Sequence, residues 1–113
     1  MNFQIHTVKI VVAVPPDYVS VVRDAMCAAG AGQIGEYSYC TMCGHIVGSF
    51  LPSENANPFI GEPGKPEFAE EEKLEAICPA EKVKAVLAAI RKAHPYEEPG
   101  IDLYPLLDEA DFD

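Results

Sequence analysis

Val19, Val22, Ala25, Met26 and Ala29 recur at three- and four-residue intervals, the spacing that sets side chains along one face of an α-helix. Pro15-Pro16-Asp17 precede this stripe. A proline suits a first helical turn, and an acidic side chain is favoured at the positive helix end. Gly30 follows the last apolar position and predicts the helix exit. The same stripe returns as Val83, Val86, Ala89, Ile90 and Ala93, after Pro79 and Glu81 and with Arg91 and Lys92 at its end. The chain is therefore read as a duplication. Each helix follows a β-like run, Val8 to Val14 in the first half and Leu74 to Cys78 in the second, and precedes a Tyr-bearing strand candidate.

Tyr37 to Met42 and His45 to Leu51 read as two strands turning at Cys43-Gly44. The predicted order is β-α-β-β-α-β with one extra or shared strand. This is an α+β, ferredoxin-like split β-α-β arrangement. Both helices are expected on one face of an antiparallel sheet. Tyr37, Tyr39, Val47, Phe50 and Leu103 supply more apolar surface than one sheet face needs, and a bare face or long edge invites pairing with another copy. A homo-oligomer, specifically a trimer, is expected.

Residues 52–66 hold four prolines and two glycines without helical or strand period. They predict an ordered loop that docks Phe59 and Ile60 on the body or on a neighbouring subunit. Glu70-Glu71-Glu72 reads as a solvated strand end, and residues 108–113 as an acidic, frayed tail. Residues 1–107 are expected to form one domain.

The chain has 113 residues, 49% of them hydrophobic, enough for one domain with a core. Eight basic against eighteen acidic residues give a net charge of −10, which disfavours phosphate backbones and anionic lipid. Nucleic acid and membranes are therefore not expected as partners. Ile10 to Val14 is too short to span a bilayer and lacks the flanks of a signal peptide. Four cysteines without such a signal read as reduced thiols, and the location as cytoplasmic.

Two segments carry candidate chemistry. Cys40-Thr41-Met42-Cys43-Gly44-His45 has metal-like spacing: Cys40, Cys43 and His45 could grip zinc or copper if the segment turns. In a straight strand Cys40 and Cys43 would point to opposite faces, leaving buried or interface thiols. A redox pair fits less well, because no helix N-terminus lies nearby to stabilise a thiolate. The second segment is His94-Pro95-Tyr96-Glu97-Glu98-Pro99. Two prolines stiffen it, and His94, Glu97 and Glu98 could ligate a divalent cation or act as acid and base on a small molecule. In the plainer alternative, His94 is a cation at a helix C-terminus that Pro95 stops. No serine or cysteine sits in a catalytic context and no phosphate-cradling glycine loop is present, so no enzymatic activity is expected.

Five ordered motifs together resemble the PII-like (CutA-like) module of the NGG-one-interacting-factor-three family, also called the YqfO family. They are Gly30-Ala31-Gly32-Gln33-Ile34-Gly35 with Tyr37-Ser38-Tyr39-Cys40; Gly48-Ser49-Phe50-Leu51-Pro52; Asn57-Pro58-Phe59-Ile60-Gly61 with Gly64; the His94 to Pro99 segment; and Asp102-Leu103-Tyr104-Pro105-Leu106. The resemblance runs from Thr7 to Leu107, here as a standalone domain. His-Pro-Tyr-Glu also resembles the matching segment of CutA divalent-cation-tolerance proteins, which are ferredoxin-like trimers. The resemblance implies the same fold. It implies no metal-hydrolase activity, because that family's dinuclear metal centre lies on flanking halves outside the resemblance; Cys43 and His45 depart from its usual sequence. The resulting expectation is a non-enzymatic oligomer that binds a small ligand or protein partner in intersubunit clefts, through Asn57, Pro58, Gly61, His94, Tyr96, Glu97 and Glu98. The alternative is a zinc- or copper-binding protein of cation-tolerance type.

Overall fold

The two halves fold alike. The structure is a computed structural model that describes residues 3–112. Its elements are β1 (Thr7–Val14), α1 (Val19–Ala29), β2 (Thr41–Phe50), β3 (Glu67–Pro79), α2 (Val83–Ala93) and β4 (Ile101–Leu106). Short 3-10 turns, Pro16–Tyr18 and Ala80–Lys82, lead into the helices. Pro15 and Pro79 open these turns with almost the same backbone, φ −57° and ψ 140° against φ −56° and ψ 139°. Proline's fixed φ aims both helices back across the sheet in the same way.

The sheet order is β2-β3-β1-β4, with every neighbouring pair antiparallel. Each β-α-β half is thus split by a strand of the other half. Ile10, Val12 and Val14 of β1 and Leu74, Ala76 and Cys78 of β3 face the helices. They meet Val22 and Met26 of α1 and Val86 and Ile90 of α2 in one buried cluster. These four helix side chains are fully buried, each contributing about 1.5–3 kcal/mol by leaving water.

The turn expected at Cys43-Gly44 is absent. β2 is one unbroken strand that pairs with β3 from Thr41↔Ala76 to Phe50↔Glu67, so the described residues form four strands without the extra one. A continuous ladder outweighs the local turn tendency of a single glycine, and space beside Gly44 is open. β3 also starts earlier than expected. Its residues 67–71 run past the end of β1, where the last pair is Val14↔Glu72, and pair with β2.

The face opposite the helices is more polar than expected. Lys9 and Lys73 flank Glu75 at 3.8 and 3.3 Å. Tyr37, Tyr39, Val47, Phe50 and Leu103 are exposed but do not form one patch: Val47 and Phe50 have opposite parity in β2, and both tyrosines precede that strand. The C-terminal segment does not fray as expected: Glu109–Phe112 forms a 3-10 turn and Phe112 stacks on Phe3 at 5.6 Å. Asp113 lies outside the described residues.

Candidate functional site

The candidate site begins where α2 ends. A proline disfavours helical backbone in the residue before it, so His94 leaves the helix extended, with ψ 135°. Its imidazole turns inward and is 6% exposed. His94 Nε2 lies 2.7 Å from the Ala13 carbonyl oxygen, and the Tyr96 backbone N–H donates to His94 Nδ1 at 3.1 Å. One ring nitrogen donates and the other accepts, which is the neutral tautomer with the proton on Nε2. Burial holds its pKa below the usual imidazole value, although the Ala13 hydrogen bond and the nearby Glu71 charge pull the other way. His94 is thus an uncharged tie between β1 and the turn. The helix-dipole cation of the plainer alternative does not form.

That tie places Tyr96. Its ring lies 4.7 Å from His94 and 6.2 Å from Phe59, and its hydroxyl donates to Glu71 Oε2 at 2.9 Å. Burial, followed by the Glu71 contact, pushes the phenol well above its ordinary pKa. Glu71 is itself 6% exposed, so the middle of the acidic run is not a solvated strand end. Gly48 of β2 makes this possible, because a β-carbon there would collide with Glu71 Oε1.

The 52–66 loop completes the arrangement on the body of the same chain. Phe59 packs edge-on against Tyr18 at 5.7 Å, and the Asn57 backbone N–H donates to Glu97 Oε2 at 2.9 Å. Between the loop, the end of β2 and the 94–100 turn lies a half-open cleft of about 570 Å³. Phe50, Leu51, Pro52, Pro58, Phe59 and Ile60 supply apolar walls, while Ser49, Ser53, Glu71, Tyr96, Glu97 and Glu98 supply the polar side chains.

Of the residues expected at a ligand site, Pro58, Tyr96, Glu97 and Glu98 line this cleft. Asn57 braces Glu97 from outside, His94 stands behind Tyr96, and Gly61 forms a turn with φ +89° beside Glu67. Sequence reasoning missed Glu71, Gly48, Phe50 and Leu51. A glycine inside a strand is a known mark of close approach by another group, and Gly48 carried that signal.

The candidate metal ligands are not brought together. Cys43 and His45 sit two apart in β2, Cys40 precedes the strand, and His45 Nδ1 instead faces Glu72 Oε1 at 3.7 Å. Among the described residues no three His, Cys, Asp or Glu side chains form a group able to hold a metal ion. Cys27 and Cys78 are poor thiolate donors, since burial pushes both thiols up.

No protein-family model matches the chain. It is 50% identical over 103 residues to a GTP cyclohydrolase 1 type 2 homolog of Halalkalibacterium halodurans, covering 91% of this chain and 28% of that protein. A crystal structure of a Bacillus cereus protein related to NIF3 superposes with a TM-score of 0.79 at 40% identity, covering 93% of this chain and 27% of the other. The chain thus spans little more than a quarter of the relatives it matches. Two more distant structures share the fold over most of their length. CutA1 of Shewanella sp. SIB1 gives a TM-score of 0.70 at 16% identity, with coverage of 94% and 86%. GlnK of Bacillus subtilis gives 0.59 at 14%, with coverage of 89% and 85%. The chain accordingly has the PII/CutA-like fold and is homologous to one segment of the NIF3-related (YqfO) proteins.

Proposed function

We propose that this chain is a non-enzymatic PII/CutA-like module that binds a small ligand or a protein partner in the cleft between the 52–66 loop and the 94–100 turn. The observation that carries this reading is the cleft itself. Its volume of about 570 Å³ falls within the range of about 300–1,000 Å³ usual for small-molecule sites. Its mixture of apolar wall and a few fixed polar groups is the composition such sites have. The reaction in the relatives' name is not carried over. A triphosphate needs cationic or backbone donors, and the cleft lining holds carboxylates and no Lys, Arg or His.

Self-association, as a trimer, belongs to the same proposal. β2 and β4 are edge strands, and Met42, Val47, Phe68, Leu103 and Tyr104 stand exposed on or beside them. An apolar edge with unpaired backbone groups is suited to pairing with another copy. All four cysteines are free, which fits a reducing, cytoplasmic setting. No helix among the described residues is long and apolar enough to cross a membrane.

Size-exclusion chromatography with light scattering tests the assembly: the proposal expects a species of three chains, each of 12.3 kDa, and a strict monomer at all concentrations overturns the trimer. Amide chemical shifts recorded against a fragment library test the site. Contacts confined to surfaces other than the cleft refute its assignment. The zinc or copper reading has less support, because Cys40, Cys43 and His45 do not converge.

A further inference from the structure

We infer that Cys27 and Cys40 form a modification site, a thiol pair that a low-molecular-weight disulfide oxidises to an intramolecular bond. The pair stands apart from the proposed cleft, since no residue between 27 and 40 lines it. Cys27 lies in the last turn of α1 and Cys40 immediately before β2, and both are half-buried and free. Gly32 brings them together. The point that a β-carbon on Gly32 would occupy lies 3.2 Å from Cys27 Sγ and 3.2 Å from the Cys40 backbone nitrogen, so no side chain separates them there. Burial raises the Cys27 pKa, and repulsion from a Cys40 thiolate is among the smaller causes acting in the same direction.

The segment between the two cysteines is folded back on itself to reach this arrangement. Gly32 holds φ +82°, Ile34 and Tyr37 exchange backbone hydrogen bonds at 2.8 and 2.9 Å, and Tyr39 holds φ +58°. Left-handed backbone is costly for a bulky side chain, and such a cost is met where the surroundings demand it. Its outcome is that the Cys40 N–H donates to the Gly32 carbonyl at 2.8 Å, which fixes Cys40 against the exit of α1. The Cys40 thiol faces the Tyr37 and Ser38 carbonyl oxygens at 3.7 and 3.9 Å. A thiol is a weak donor, so it turns from these contacts toward Cys27 at little cost.

The chemistry is thiol–disulfide exchange. The Cys40 thiolate attacks one sulfur of the small disulfide, forming a mixed disulfide and releasing one small thiol. Cys27 then attacks the Cys40 sulfur and releases the second. The two protein thiols lose two electrons, the small disulfide gains them, and the two protons end on the released thiols. Burial disfavours the Cys27 thiolate, which suits Cys27 to the second, intramolecular step, where proximity offsets a small thiolate fraction. The bond ties the segment carrying exposed Ile34, Tyr37 and Tyr39 to α1.

The test equilibrates the full chain with mixtures of reduced and oxidised glutathione, with and without urea. Products are mapped by mass spectrometry after cleavage at Glu36, which lies between the two cysteines. The expected native product is one intramolecular bond joining the two fragments, formed with an equilibrium constant at least about tenfold above that in urea. By linkage the oxidised chain is then the more stable, by about 1.4 kcal/mol for each factor of ten, read as a higher urea midpoint than that of the reduced chain. Cys27→Ser and Cys40→Ser should each remove the bond and leave a mixed disulfide with glutathione, whereas Cys43→Ser should retain it. A bond from Cys27 to Cys43 or Cys78, mixed disulfides as the sole native product of the parent, or an equilibrium constant no higher than in urea overturns the proposal.

Discussion

Gly44 and Gly48 lie four residues apart in β2, on the same face of one strand, yet alanine should act oppositely at the two positions. Beside Gly44 there is nothing within 4 Å of an added β-carbon. Neither residue needs left-handed backbone, so Gly44→Ala should stabilise by about 0.4–1 kcal/mol through the lost freedom of the unfolded chain. At Gly48 the new methyl collides with Glu71 Oε1. The obstacle is the end of a flexible side chain, so the carboxylate swings away and the backbone stays. Swinging away breaks the 2.9 Å hydrogen bond from Tyr96. A hydrogen bond to a charged group contributes about 1.5–3 kcal/mol. Set against the same entropic gain, Gly48→Ala should destabilise by about 0.5–2.6 kcal/mol.

Urea unfolding of both variants and the parent, at one protein concentration so that self-association does not shift the midpoints, reads the difference as a change in Cm at constant m. The route of the loss can be isolated as well. If it runs through the Tyr96–Glu71 bond, Tyr96→Phe should cost about 1.5–3 kcal/mol in the parent and little in the Gly48→Ala background, a coupling visible in a double-mutant cycle. Equal stability of Gly44→Ala and Gly48→Ala, or additive effects of Gly48→Ala and Tyr96→Phe, would refute the reasoning.

Three further outcomes follow from the same constellation. The His94 pKa is lowered on folding, so as pH falls below about 6.5 the unfolded state takes up the proton first and stability should fall; His94→Gln should flatten that acid limb relative to the parent in pH-dependent urea titrations. The Tyr96 pKa is raised on folding, so above about pH 10 the unfolded phenol ionises while the folded one does not, and stability should fall as pH rises. Tyr96→Phe should remove that part of the alkaline loss, and ultraviolet titration of the parent should show one of its five tyrosines resisting ionisation. Glu97→Ala should speed hydrogen exchange at the Asn57 amide, whose acceptor it removes, while changing global stability by less than about 0.5 kcal/mol, because Glu97 is exposed.

What could be read from the sequence is what local periodicity encodes. The helix stripes of Val22 and Met26, and of Val86 and Ile90, reached the core as expected, and the repeated Pro15 and Pro79 mark equivalent bends. Cys43-Gly44 misled because a glycine after a short apolar run resembles a turn, whereas pairing along the whole of β2 decides the strand. Glu71 misled for a different reason. Its neighbours Glu70 and Glu72 suggest solvent, but its environment is set by a hydroxyl twenty-five positions away in sequence. His94 is fixed by a carbonyl eighty-one positions away. Neither partner leaves a periodic signal near the residue it satisfies. The turn stood out through its prolines and clustered polar groups, and it was the wall facing it, on β2 and β3, that stayed hidden.

The duplication explains why the cleft forms at one helix exit and not at the other. Gly30 and His94 hold equivalent capping positions. At Gly30 the chain turns back with φ +125°, closed by the Ala31 N–H donating to the Met26 carbonyl at 3.0 Å, a backbone solution open to glycine. An added β-carbon there would also meet Lys82 Cδ at 2.6 Å. This exit turns the chain but offers no side chain to hold anything else. His94-Pro95 also sets the direction of the chain, and it inserts an imidazole that joins β1 to Tyr96. Tyr96 then holds Glu71, so one capping position supports a cleft wall three contacts deep. Because His94, Tyr96 and Glu71 satisfy one another's buried polar groups, substituting them costs folding energy whatever the cleft binds. Leu51 and Glu98 border the same cleft, are exposed, and stand outside that chain of contacts. Ligand preference can change there with little loss of stability.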